Sequence, residues 1–77
     1  MTIAARVHSI LAEELALDVT TIGPDISYNM IPEWDSVAHM YLIIALEETF
    51  GINFGDTEIA GLTTVSAIIA AVEHRLN

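Results

Sequence analysis

The sequence has no cysteine and no lysine among its 77 residues. Without cysteine there is no disulfide, and no thiol of the chain's own. Three histidines, His8, His39 and His74, follow no ligand spacing, so no metal site is expected either. A domain this short usually leans on such staples. Here packing must suffice, and an apolar content of 53% makes that feasible while excluding a disordered tail. Two arginines stand against eleven acids, for a net charge of −9. Nucleic-acid binding needs a basic face to neutralise phosphates, so that class is excluded. The expected habit is the opposite one, docking to partners with basic patches. The longest apolar run, Met40 to Leu46, is seven residues, far short of the ~20 that a spanning helix needs. No charged segment followed by a long apolar core opens the chain. The expectation is a single domain over residues 1–77, monomeric and cytoplasmic, with no membrane span.

Glycine and proline are few, and all of them fall outside three periodic segments. Gly23, Pro24 and Pro32 lie between residues 18 and 35, and Gly51, Gly55 and Gly61 between 51 and 63. These breakers mark the joints. Residues 3–17 read as a first helix, with Ile3, Val7, Ile10, Leu11 and Leu15 at helical spacing and Arg6, Ser9 and Glu13 opposite. Thr2 suits its N-cap, and Glu14 is expected to escape at the edge of the stripe. Residues 18–35 read as a long loop with Ile22, Ile26, Tyr28, Met30 and Ile31 as apolar anchors. A loop of that length in a small domain is often functional.

Residues 36–50 read as a second helix, capped by Asp35 or Ser36 and stopped by Gly51. It carries two stripes at about 100° per residue. His39, Leu42, Ile43, Leu46 and Phe50 form one, and Val37, Met40, Tyr41, Ile44, Glu47 and Glu48 the other. One stripe must pack on the core; the second either packs on another element or faces a partner. Residues 56–60 suit one short turn closed by Gly61. Residues 64–76 read as the last helix, capped by Thr63 or Thr64, with Val65, Ile68, Ile69, Val72 and Leu76 as its stripe. Alanines 67, 70 and 71 favour the helix and allow close approach. The sum is an all-α four-helix bundle with three long helices, one short helix and a long first loop. Leu42, Leu46 and Phe50 are expected to meet Ile10, Leu11, Val65, Ile69 and Val72 in its core.

No catalytic set emerges. Asp35, Ser36 and His39 suggest a triad, but Ser36 and His39 are helical neighbours, and the acid does not stand behind the base. His39 projects onto the core stripe and is expected to be buried and neutral. The pairs Glu13-Glu14 and Glu47-Glu48 point about 100° apart and share neither proton nor metal. Phosphate-loop, EF-hand and HExxH motifs are absent. What remains is Ser36 at the start of a helix. From its position it is either a plain part of an Asp-Ser cap or a modification site, since a helix N-terminus favours a phosphate.

The stretch Glu33-Trp34-Asp35-Ser36-Val37-Ala38-His39 resembles the attachment motif of acyl carrier proteins, whose core is Asp-Ser-Leu. Leu42 to Leu46, then Glu47-Glu48-Thr49-Phe50-Gly51-Ile52, and later Thr63-Thr64-Val65, are similar to the family too. The resemblance covers nearly the whole chain. Val37 stands where leucine is usual, and Glu33-Trp34 replaces a glycine-containing lead-in, a form that looks more like specialised stand-alone carriers. The resemblance implies that Ser36 takes a covalent 4′-phosphopantetheine arm from coenzyme A in a phosphopantetheinyl transferase, with Asp35 flanking it. It implies partners that load the arm (an acyl or aminoacyl ligase) and enzymes downstream, all with basic docking patches. Val37, Met40, Tyr41 and Ile44 would then give apolar contact, Glu47 and Glu48 salt bridges, and Asp35 and Glu33 charge beside the arm. Trp34 either packs under the loop or touches partners. Two other readings stand beside an acyl carrier: an aminoacyl or peptidyl carrier, and an acidic helical adaptor that binds a basic protein without a cofactor.

Overall fold

The computed structural model describes residues 2–76. Four helices follow in order: α1 Ile3–Leu15, α2 Ser36–Phe50, α3 Asp56–Gly61 and α4 Val65–Leu76. Each long helix starts on a side-chain cap. Thr2 Oγ1 accepts from the Ala5 N–H at 3.1 Å, Asp35 Oδ1 from Ala38 at 2.9 Å and Thr64 Oγ1 from Ala67 at 3.0 Å. Of the alternative caps, Asp35 and Thr64 therefore do the work, and Ser36 does not.

Helix α1 ends two residues before the expected Leu17. Ala16 adopts the left-handed conformation at φ 55°, and Leu17 N–H reaches back to the Ala12 carbonyl at 2.9 Å. Gly51 ends α2 the same way at φ 67°, with Ile52 N–H on the Glu47 carbonyl at 3.1 Å. Both are Schellman stops, and in both the residue after the left-handed position packs on the core. Glycine makes the second legible. Alanine hides the first, at a cost of about 1 kcal/mol for the left-handed backbone.

The long loop is more ordered than expected. Val19–Thr21 form a 3₁₀ turn capped by Asp18. Hydrogen bonds from the Thr20 backbone N–H and then its hydroxyl hold the Asp18 carboxyl below its ordinary value. Further on, the loop is sewn to the α3–α4 connection. Tyr28 N–H donates to the Thr63 carbonyl at 2.7 Å and Val65 N–H to the Ile26 carbonyl at 3.2 Å, around an isolated antiparallel bridge between Ser27 and Thr64. Asn29, at φ 65°, turns the chain there, and its N–H meets the Trp34 carbonyl at 2.9 Å.

The core takes Val7, Leu11 and Leu15 from α1, Leu42, Ile43 and Leu46 from α2, and Val65, Ile68 and Val72 from α4. Ile22 and Trp34 close it from the loop, with Phe54 and Leu62 on either side of α3. Three expected core members, Ile10, Phe50 and Ile69, are half-buried at its margin. Leu76 is exposed at the chain's end. Arg6, expected on the solvent side, is half-buried and lies 4.7 Å over the Phe50 ring. Glu14 is half-buried at the end of α1.

Leu46 is fully buried in the core cluster to which α1, α2 and α4 contribute. Leu46→Ala is expected to cost about 2–5 kcal/mol, read as a lower denaturant midpoint at unchanged slope. An unchanged midpoint would contradict this core.

Candidate functional site

Ser36 is the first residue of α2, and its side chain is exposed. Because Asp35 provides the cap, the serine hydroxyl is not consumed by the helix. Its partner is the Tyr28 hydroxyl, 2.6 Å away. Tyr28 is brought there by its own backbone bond to Thr63, so loop, α2 and the α3–α4 connection converge on one oxygen atom. Beside it lies an open cavity of about 360 Å³ lined by Tyr28, Ser36, His39, Met40, Ala60 and Thr63. A second, of about 190 Å³, runs along α2 between Met40, Ile43, Ile44, Glu47 and Ile59. Met40 belongs to both, and the walls are mostly apolar.

His39 lines the cavity, and Trp34 is stacked behind it. Trp34 is completely buried, which decides between its two expected roles in favour of packing. Its indole N–H, which can only donate, lies 3.0 Å from His39 Nδ1. Nδ1 is therefore the acceptor, and the ring's proton sits on Nε2, which donates to the Ile59 carbonyl at 3.2 Å. His39 is buried as expected, stacked on Trp34 and met edge-on by Tyr28. Both ring nitrogens are committed away from Ser36, so His39 does not act as a base on the serine. The triad fails on geometry here, as on spacing.

The second stripe of α2 is uncovered. Val37, Met40, Tyr41 and Ile44 are 62%, 66%, 61% and 47% exposed. The loop therefore does not cover this stripe. Val37, Tyr41, Ile44 and Glu48 recur at i, i+4, i+7 and i+11 and share a face. Glu48 is exposed there. Glu47 differs: it is half-buried, and its carboxylate accepts from the Phe54 N–H at 2.9 Å, tying α2 to the segment before α3. Asp35 is likewise engaged, with Ala38, while Glu33 is exposed. Tyr28 is the site residue that sequence reasoning passed over. The sequence presents it as an apolar anchor, and nothing in a loop spacing of eight residues signals a contact with Ser36.

A family model described as the phosphopantetheine attachment site matches residues 5–72. The chain belongs to the acyl carrier protein family. It is 35% identical over 74 residues to an acyl carrier protein of Rubrobacter xylanophilus, covering 95% of this chain and 91% of that one. It is 31% identical over 74 residues to an acyl carrier protein of Thermosynechococcus vestitus, covering 96% and 91%. Membership makes it a phosphopantetheine-bearing carrier, with 4′-phosphopantetheine as its covalent cofactor and a transferase and acyl-using enzymes as its partners. The residues present fit that group. An exposed hydroxyl stands at a helix start, hydrogen-bonded to a second hydroxyl and beside an apolar cavity. No helix among the described residues is long and apolar enough to cross a membrane.

Proposed function

We propose that Ser36 carries the arm, and that the chain shuttles acyl groups as thioesters between enzymes of lipid, polyketide or specialised-metabolite biosynthesis. The observation that carries this is the exposed hydroxyl of Ser36 lining the cavity, within the Asp35-Ser36 pair and not used as the helix cap. None of the other serines stands at a helix start beside this cavity. Ser9 donates to the Ala5 carbonyl within α1, Ser66 to the Pro24 carbonyl, and Ser27 sits in the bridge to Thr64. In the active site of a transferase, Ser36 Oγ gives up its proton to a base of that enzyme and attacks the pyrophosphate of coenzyme A. A new O–P bond forms as the P–O bond to the nucleotide breaks. Ser36 is then a substrate, and the chain itself catalyses no step. Once attached, the arm supplies a thiol for thioester chemistry, which accounts for a carrier without cysteine. The apo chain incubated with coenzyme A and a broad transferase should gain one arm by intact mass, which separates a carrier from an adaptor. A loading screen then separates acids from amino acids. The same reading makes the chain a monomeric domain over residues 1–77 working in the cytoplasm; its core cluster supports one domain.

The uncovered face of α2 supports docking to basic partners there, with Val37, Met40, Tyr41 and Ile44 as the apolar contact. Glu48 supplies the free charge, because Glu47 is occupied by Phe54. Glu48→Lys should lower the encounter rate with the transferase several-fold at low salt, the deficit shrinking as salt rises, with stability nearly unchanged. Equal rates at every ionic strength would move the docking face elsewhere.

A further inference from the structure

We infer that the Tyr28 hydroxyl positions Ser36 Oγ for arm transfer and, once the arm is attached, donates to its phosphodiester. The inference rests on the reading of Ser36 as the attachment site. In the unmodified chain either oxygen can donate across their 2.6 Å contact. The phenol is the more acidic hydroxyl and so the better donor, which leaves the serine proton pointing outward to an external base. A donor already on Oγ also meets the negative charge that grows there as the proton leaves, with no rearrangement at that moment. After transfer the direction is forced. Ser36 Oγ is then an ester oxygen with no hydrogen, so only Tyr28 can donate, to that oxygen or to a phosphate oxygen one atom further out.

The phenol is built to stay where it is. Its backbone N–H is fixed to Thr63 at 2.7 Å, its neighbour Ser27 bridges Thr64, and its ring stands edge-on to His39 with centroids 5.3 Å apart. His39 is in turn fixed by Trp34 and Ile59. None of these restraints involves Ser36, so the hydroxyl is presented to the serine rather than drawn by it. Nor do they require the hydroxyl: Tyr28→Phe keeps the ring, its edge contact and its backbone bond, and removes one oxygen atom. A tyrosine used only to fill space needs no such partner.

The test compares wild type, Tyr28→Phe and Ser36→Ala as full chains with coenzyme A and one transferase. Tyr28→Phe should still accept one arm, with kcat for transfer about three- to tenfold lower and KM for the carrier unchanged. The phosphodiester ³¹P resonance of the loaded Tyr28→Phe chain should move from its wild-type position, which a space-filling role would not cause. In wild type labelled at tyrosine, the ¹³Cζ resonance of Tyr28 should shift on arm attachment, a readout that needs no variant to fold. An unchanged kcat, a loss carried by KM alone, or unmoved ³¹P and ¹³Cζ resonances would overturn the role of Tyr28 while leaving Ser36 standing. An arm on folded Ser36→Ala would remove the reading beneath it.

Discussion

Ser36→Ala is expected to fold as wild type does and to accept no arm. The first half follows from what Ser36 does not do. The cap of α2 belongs to Asp35, whose carboxylate holds the Ala38 N–H, so the helix start survives the substitution. Ser36 is exposed and contributes nothing to the core. Alanine is the better helix former by a few tenths of a kcal/mol. The one loss is the bond to Tyr28, near the surface, where an ordinary hydrogen bond is worth about 1 kcal/mol net and water can replace it. The two changes nearly cancel, and the unfolding midpoint should stay close to wild type. The second half follows from position: the remaining serines are mid-helix, in the bridge or turned toward a backbone carbonyl. Intact mass after incubation with coenzyme A and a transferase reads the outcome as all or none. A folded Ser36→Ala chain that gains an arm would locate the attachment on another residue.

Much of this arrangement is written in periodicity. The three long helices, their glycine and proline joints and the two faces of α2 follow from apolar spacing and from where breakers sit. The exposed stripe of Val37, Met40, Tyr41 and Ile44 is visible because one helix cannot bury two opposite faces in so short a chain. Other features have no periodic signature. The stop of α1 at Ala16 uses a residue with no preference for the left-handed region. The role of Glu47 depends on the chain after Gly51 turning back to offer the Phe54 N–H, a contact set by tertiary geometry. The bond from Tyr28 to Ser36 depends on the loop being stitched to Thr63 and Thr64, residues about 35 positions downstream. Backbone pairing between two irregular segments leaves no trace in side-chain pattern, because any residue can make it. Trp34 lay between the two cases. The sequence leaves packing under the loop and contact with partners both open for it, and the loop's turn at Asn29, whose N–H meets the Trp34 carbonyl, accompanies its burial.

Trp34 is also where stability and site are joined, and Trp34→Ala should be the most damaging single substitution in the chain. It is the largest fully buried side chain. Truncating such a residue to alanine costs about 3–5 kcal/mol through lost burial and the cavity left behind. The indole N–H leaves with it, so His39 Nδ1 loses its donor inside the core, an added penalty of about 1–3 kcal/mol unless water enters. Domains of this size sit near the low end of a ~5–15 kcal/mol range, so most of the margin disappears. The midpoint of thermal unfolding should fall by on the order of 20 °C or more. Trp34→Phe separates the two contributions: it keeps most of the buried ring and removes the N–H. It should lose about 1–3 kcal/mol and still accept an arm, because neither Ser36 nor Tyr28 contacts the indole nitrogen. If Trp34→Phe proves as unstable as Trp34→Ala, the bond to His39 outweighs ring packing in holding the loop. If both match wild type, the loop does not seal the core as described. His39 transmits the difference to the cavity, since its other nitrogen holds the Ile59 carbonyl of α3. A loosened imidazole therefore frees one wall of the pocket beside Ser36. Trp34 thus reaches the cavity through His39 alone, by the bond from its indole N–H to Nδ1.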